Sequence, residues 1–286
     1  YDTNTGLHTM PETPANYDDF GPYADISVLE DGKKHVSYYT SDPGTDLGFS
    51  ESMEPVEGWQ WWGVDMGPDD VGQHTGIVVD SNGAPHIAYY DVTNNSLKHA
   101  WGDFQSSNYI WHIETVDSGG VGQYTNLAID NSDNLHIAYY STQGSLKHGY
   151  GTQTTGGWNW SVDTAVAGSS GEYSSIALES SGNPHVVYFD SANGSLKHAW
   201  ANWNQSLGEW EWQSQQVDSG LGNSVGSHAS LVVGVDGLHV AYYDDTRQSL
   251  KYAHAPAMLV VDDLWFWFPI TIEDTGDDVG KPLSWN

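Results

Sequence analysis

The chain has 286 residues, with 38 acidic against 8 basic side chains, a formal net charge of −30 and no cysteine. Such a charge excludes nucleic acid as a partner and disfavours anionic membrane surfaces, because both require a basic patch, and the lack of thiols excludes disulfide scaffolds, thiol nucleophiles and cysteine-ligated zinc. No stretch approaches the ~20 apolar residues of a membrane-crossing helix, so no membrane insertion is expected, whereas 14 Trp, 17 Tyr and 32 Gly favour aromatic strands joined by tight turns, an all-β protein.

Residues 1–22 contain Pro11, Pro14 and Pro22 without a sustained hydrophobic period, so they read as an extended N-terminal arm. The chain opens at Tyr1 rather than at a Met, as a mature form would after signal removal, and an extracellular or cell-surface location is the expectation. From Tyr23 a unit of about fifty residues recurs five times. Its marker is His35-Val-Ser-Tyr-Tyr39, repeated as His86-Ile-Ala-Tyr-Tyr90, His136-Ile-Ala-Tyr-Tyr140, His185-Val-Val-Tyr-Phe189 and His239-Val-Ala-Tyr-Tyr243, with His spacings of 51, 50, 49 and 54. Each unit carries four short apolar runs. In the second they are Ile77–Asp80, His86–Tyr90, Ser96–Trp101 and Trp111–Val116, and Ser81-Asn-Gly-Ala-Pro85 makes the hairpin turn between the first two.

A four-stranded meander of this size cannot bury both faces alone, but a ring of such sheets buries each face against a neighbour. The predicted fold is therefore a five-bladed β-propeller of four-stranded antiparallel blades, at about residues 23–73, 74–123, 124–172, 173–227 and 228–281. Inner strands alternate bulky residues, such as Ile77 and Val79 or Leu127 and Ile129, with small ones such as Ser27, Ala128 and Ala177. Four outer strands open with Trp-x-Trp (Trp59/Trp61, Trp158/Trp160, Trp210/Trp212, Trp265/Trp267), whose same-face spacing makes them packing groups between blades. At the end, Val279–Trp285 matches the start of a further inner strand and is expected to latch the ring beside the first blade.

The order of an Asp, a turn Gly and an aromatic strand, as in Asp80, Gly83 and His86–Tyr90, resembles the secreted, repeat-built propellers of bacteria and archaea, a broad group that includes NHL-like repeats. The resemblance covers about nine-tenths of the chain and implies the architecture. In architecture the chain is also similar to the five-bladed sugar-binding lectins of the tachylectin type. Neither the Ser-x-Asp-x-Gly-x-x-Trp box of sialidases nor the paired Gly-His and Trp-Asp of WD repeats occurs.

Three recurring features carry candidate chemistry. The five marker histidines lie on separate blades, too far apart to share one metal, so each is read as a structural group bonding within or between blades. Lys98, Lys147, Lys197 and Lys251 occupy one register of Ser-Leu-Lys and are expected to pair with Asp80, Asp130 or Glu179 at the inner-strand ends, with ligand contact as the alternative. The loops that lead into the inner strands hold Asp65, Asp69 and Asp70 in one blade and Asp274, Asp277 and Asp278 in another. Clustered carboxylates on Gly turns form a hard-oxygen environment, so these six are candidate ligands for Ca2+, against the alternative of solvated turns. Asp91, Asp190 and Asp244 follow the second strands on the same face, and just after the lead-in loops come Tyr23, His74, Tyr124, Tyr173 and His228. These eight are the candidate ligand-binding residues, the five rings forming either a stacking platform for a sugar or a plug of the central channel.

No carboxylate stands alone in an apolar setting, and Gly-x-Ser-x-Gly is missing, so no catalytic residue is assigned. Near-identical loops suit multivalent binding. The leading expectation is an extracellular or cell-surface carbohydrate-binding module with repeated inter-blade sites. The second is a structural subunit that self-assembles through the arm at residues 1–22. The third is a glycoside hydrolase or lyase.

Overall fold

The computed structural model describes residues 20–40, 46–53, 58–168, 170–260 and 264–273. The arm up to residue 19 and the latch at 279–285 lie outside the described residues. The described chain forms strands β1 (Phe20–Val28), β2 (Lys34–Thr40), β3 (Asp46–Ser52) and β4 (Trp59–Asp65), then β5 (Val71–Val79), β6 (Pro85–Asp91), β7 (Ser96–Gln105) and β8 (Asn108–Ser118). They are followed by β9 (Val121–Ile129), β10 (Leu135–Ser141), β11 (Ser145–Thr154) and β12 (Gly157–Ala167), by β13 (Ser170–Leu178), β14 (Pro184–Asp190), β15 (Ser195–Asn204) and β16 (Glu209–Asp218), and by β17 (Val225–Gly234), β18 (Gly237–Asp244), β19 (Ser249–Pro256) and β20 (Phe268–Glu273). Consecutive groups of four make five sheets, each with its strands in chain order and antiparallel, which is the five-bladed β-propeller fold. Among the described residues no helix is long and apolar enough to cross a membrane.

Every inner strand begins three residues before the expected blade start, at Phe20, Val71, Val121, Ser170 and Val225. The cause is a break in the pleat. Pairing of β5 with β6 slips between Val71 and Gln73 and again before Gly76, and His74 in this bulge has φ +51°. A bulge hides a strand from a period-two reading, because the side chains on either side of it no longer alternate in phase.

The glycine just before each bulge sets the distance between blades. Gly122 has φ +106°, and a Cβ added there would stand 3.0 Å from the Leu97 Cα on β7. The same close approach joins Gly72 to Leu47, Gly171 to Leu146 and Gly226 to Leu196, each at 2.9 Å from a Cα. Gly122→Ala is therefore expected to cost roughly 2 to 4 kcal/mol, from an unfavourable φ and from overpacking against backbone. An unchanged urea midpoint for this variant would refute the close-approach argument.

By compactness the chain divides between Ile129 and Asp130 into two units. In the first, Leu47, Phe49, Trp62, Ile77, Ile87, Tyr89 and Tyr109 form one buried cluster. In the second, Val187, Leu196, Val225, Leu238, Val240 and Tyr242 do the same. In the second unit the Trp210/Trp212 and Trp265/Trp267 pairs cap the preceding blade. Trp210 sets its edge on His136 and Tyr150 at 5.4 and 5.5 Å, Trp212 on His148 at 5.1 Å, and Trp265 and Trp267 on His185 and His198 at 5.1 and 5.3 Å.

The marker histidines act inside their blades. His86 Nδ1 bonds His99 Nε2 at 3.1 Å, His136 bonds His148 at 3.1 Å, and His185 bonds His198 at 2.9 Å, all with buried rings. The second imidazole of each pair continues to a carboxylate in two blades, His99 to Glu114 and His148 to Asp163, each at 3.2 Å. Burial lowers His99 to about 4 and His136 to about 2, and lowers His148 and His198 as well, so these four rings are neutral in the folded protein.

Lys98, Lys197 and Lys251 pair with carboxylates, but not with those expected, and Lys147 lies over the Tyr139 ring at 5.7 Å. Lys98 Nζ donates to Asp65 at 2.5 Å and lies 3.8 Å from Asp91, Lys197 donates to Asp190 at 2.5 Å, and Lys251 donates to Asp218. Asp80 instead accepts from the Asn82 and Ala84 amides of its own hairpin, Asp130 accepts from Ser132 and Asn134, and Glu179 faces His185. Register explains the correction. Lys98 lies opposite Tyr89, near the Asp91 end of β6, whereas Asp80 faces His86 at the other end of the strand. Val166 occupies the place that Asp65 and Asp218 hold in other blades, and Lys197 turns to Asp190.

Candidate functional site

The lead-in loops do not gather their carboxylates. Asp65 accepts from Tyr89 Oη at 2.7 Å as well as from Lys98, so a cation already sits against it. Asp70 accepts from Tyr39 Oη at 3.2 Å, and Asp69 from Asn94 Nδ2 at 3.4 Å. Asp274, Asp277 and Asp278 lie outside the described residues. Among the described residues, the group that brings three metal-ligating side chains together is Asp236, His239 and His254, at the opposite end of the fifth blade.

Asp91, Asp190 and Asp244 are buried and close the turns that follow their strands. Asp91 accepts from Asn94 N and Nδ2 at 2.8 and 2.9 Å, Asp190 from Asn193 Nδ2 at 2.9 Å, and Asp244 from Arg247 N at 2.9 Å. These are side-chain turns of the Asx type, which fix the loop, although the buried Asp244 Oδ2 has no hydrogen-bond partner.

The aromatic series is brought together within each unit. In the first unit Tyr23 and His74 lie 4.4 Å apart and His74 and Tyr124 lie 4.8 Å apart, with ring planes inclined by 49° and 50°. In the second unit Tyr173 and His228 repeat the arrangement at 4.6 Å and 49°. His74, Tyr124, Tyr173 and His228 all have φ of +51° or +52°, a left-handed conformation that costs a side-chain-bearing residue about 1 kcal/mol or more. The same strained position thus recurs four times, at a bulge that turns the ring out of the strand's alternation. Burial lowers the His74 imidazole to about 4, so it is an uncharged member of the series.

A cavity of about 270 Å³ opens between the fourth and fifth blades, at the end where the marker histidines lie. Its walls include Glu179, Asn183, His185, Trp200, Asn202 and Trp265. Trp265 is clamped through its backbone, since Gln215 Nε2 donates to its carbonyl at 2.5 Å and its amide donates to Gln215 Oε1 at 3.2 Å. The indole stands nearly perpendicular to the His185 ring, at 87°. Asn183 Nδ2 donates to Asn202 Oδ1 at 2.9 Å. Glu179 lies 3.1 Å from His185 Nε2, and this hydrogen bond holds its carboxyl below the usual range in spite of partial burial, so it is ionised at neutral pH. Flat apolar walls with an ionised acceptor and two primary amides suit a ligand that is both ring-shaped and rich in hydroxyls.

Local sequence pattern assigns none of these residues to a ligand. Trp200 and Asn202 alternate along β15, and Asn183 lies in the hairpin turn before β14, so each reads as an ordinary strand or turn residue. The available signal is departure from the repeat, because the loop at residues 201–209 and the segment Met258 to Phe268 break its symmetry most.

The fold and the cavity define the class: a β-propeller with a ligand-sized recess between two blades. No protein family matches the sequence, and the comparison with curated proteins gives no match. Solved structures share the fold. AofleA from Arthrobotrys oligospora superposes with a TM-score of 0.59 at 14% identity, over 88% of this chain and 71% of that one. The SapL1 lectin in complex with alpha methyl fucoside gives 0.54 at 11% identity, over 88% and 83%. The NanB sialidase from Streptococcus pneumoniae gives 0.56 at 10% identity, over 94% and 64%. At these identities the likeness is one of fold.

Proposed function

We propose that the protein is an extracellular, lectin-like propeller that binds carbohydrate in the cavity between its fourth and fifth blades. The observation that carries this reading is the pairing of Trp200 and Trp265 with Glu179, Asn183 and Asn202 around one recess. The half-buried Trp265 indole takes the C–H face of a sugar ring, Trp200, 4% exposed and stacked on His198 at 5.0 Å, backs the recess, and the polar groups accept from and donate to the hydroxyls. A volume of about 270 Å³ lies at the small end for ligand pockets, which suits one or two sugar rings. SapL1, a lectin of similar fold seen with a fucoside, supports the same ligand class.

A glycan array probed with the full chain, with calcium and with a chelator, tests the proposal. Trp200→Ala is expected to weaken the best hit about tenfold or more, the equivalent of about 1.4 kcal/mol of stacking and burial. Tyr124→Ala and Tyr173→Ala should leave that affinity unchanged; loss with these two and not with Trp200→Ala would move the site to the strained aromatic series. Dependence on calcium would restore Asp65, Asp69, Asp70, Asp274, Asp277 and Asp278 as ligands. Silence of the array in both conditions would defeat the proposal.

A further inference from the structure

The fifth blade rewrites the imidazole pattern. His239 on β18 pairs in register with His254 on β19, where the second and fourth blades set Trp101 and Trp200 opposite His86 and His185. Tyr252 takes the register held by His99 and His198 in those blades. The inner hairpin is also shortened: Gly234 pairs with Gly237, which leaves Val235 and Asp236 as the turn and moves the carboxylate over the two rings.

The result is a compact donor set. His239 and His254 stack at 4.4 Å with planes 10° apart. Asp236 Oδ1 lies 2.9 Å from His239 Nε2, and its Oδ2 lies 3.8 Å from His254 Nε2. His254 Nε2 is itself buried and has no hydrogen-bond partner. One ligand atom from each of the three residues lies within 4.8 Å of the other two. The Asp236 side chain is 63% exposed, so the set opens to solvent. Gly234 leaves the space clear, since a Cβ there would come within 3.0 Å of both Asp236 Oδ1 and His239 Nε2.

We propose that Asp236, His239 and His254 bind a divalent transition ion of the zinc class, with solvent in the remaining position. Two neutral imidazoles and one carboxylate are the donors of a zinc site with three protein ligands, and nitrogen donors disfavour calcium and magnesium. Tetrahedral bonds of ~2.1 Å place donor atoms about 3.4 Å apart, so the three donors, which lie within 4.8 Å of one another, draw together by up to about 1.4 Å when the ion binds. His239 Nδ1 lies 2.6 Å from Tyr252 Oη. With the proton on Nδ1 it donates to the phenol oxygen, which frees the Nε2 lone pair for the ion and fixes the ring.

The test is zinc binding by the full chain, followed by equilibrium dialysis with metal analysis and by the visible spectrum of the cobalt(II) form. One equivalent of zinc per chain and a four- or five-coordinate cobalt spectrum are expected. Asp236→Asn, at an exposed turn, should weaken binding by roughly 100-fold, and His254→Trp, which installs the residue of the second and fourth blades, should abolish it. Tyr252→Phe should cost about tenfold without removing the site. Absence of a zinc equivalent in the parent chain, or zinc retained equally by Asp236→Asn and His254→Trp, would overturn the proposal.

Discussion

Acidification from pH 7 to pH 4 is expected to remove most of the folding free energy, through imidazoles rather than carboxylates. Burial lowers His74 and His99 to about 4 and His136 to about 2, and lowers His148 and His198 as well. An unfolded imidazole titrates near 6.5, so in this window the unfolded chain binds more protons than the folded one. Each ring's contribution is therefore complete above pH 6.5 and is lost as the pH falls toward the folded value. A depression of the size seen for His99 corresponds to about 3 kcal/mol, and a domain holds only 5 to 15 kcal/mol in all. Two carboxyls oppose the trend. Burial pushes Asp25 up to about 6, even though it accepts from Ile77 N at 2.8 Å, and burial raises Asp46 as well. For Asp25 the contribution is present below the unfolded carboxylate range and lost as pH rises through 6, so acid favours these two groups, but they stand against five imidazoles. Denaturant midpoints between pH 8 and 4 should begin to fall near 6.5, and Asp25→Asn should steepen that fall. A plateau down to pH 4.5 would contradict the neutral, buried state of the rings.

The second large effect is expected at Asp218. This carboxylate is 8% exposed and accepts from Tyr242 Oη at 2.7 Å, from Gly220 N at 2.8 Å and from Lys251 Nζ, itself 8% exposed. Burial raises the Asp218 carboxyl, but the bond from Lys251, reinforced by Tyr242, outweighs it and holds the group below the usual range. Asp218→Ala would leave the Lys251 ammonium buried against the Tyr242 ring, 5.7 Å from its centroid, with no opposite charge from Asp218. Stranding one partner of a buried pair costs about 4 kcal/mol, whereas replacing both with apolar groups is often close to neutral. Asp218→Ala is accordingly expected to be severe and Asp218→Ala with Lys251→Met mild, a coupling readable in a double-mutant cycle. Equal losses for the single and the double variant would show that the pair is not a unit. On acidification the Asp218 contribution is lost only below the ordinary carboxylate range of about 4, so it is separable from that of the histidines.

Much of this architecture is legible in the amino-acid sequence. Five copies of His-x-x-Tyr-Tyr or its Tyr-Phe variant at near-constant spacing, each with four short apolar runs, determine the strand number and the sheet order, because strand alternation and hairpin turns are local properties. The same local reading marks the Trp pairs as inter-blade packing groups and the histidines as structural. It fails where pairing depends on which ends of separate strands meet. Lys98 chooses Asp65 and Asp91 over Asp80 because the register of β6 and β7 carries it to the far end of the blade. The inner strands start three residues early because a left-handed residue breaks their period.

The two candidate sites lie on the tertiary side of that divide. Trp200, Asn183 and Glu179 come from different elements and line one recess with Trp265 only in the folded chain. Asp236, His239 and His254 are separated by ordinary spacings and meet because a two-residue turn and one cross-strand register stack them. The repeat is a property of sequence alone, since each unit encodes its own strands; tertiary structure decided which side chains share a recess, because residues of separate strands and turns meet only once the register between them is set.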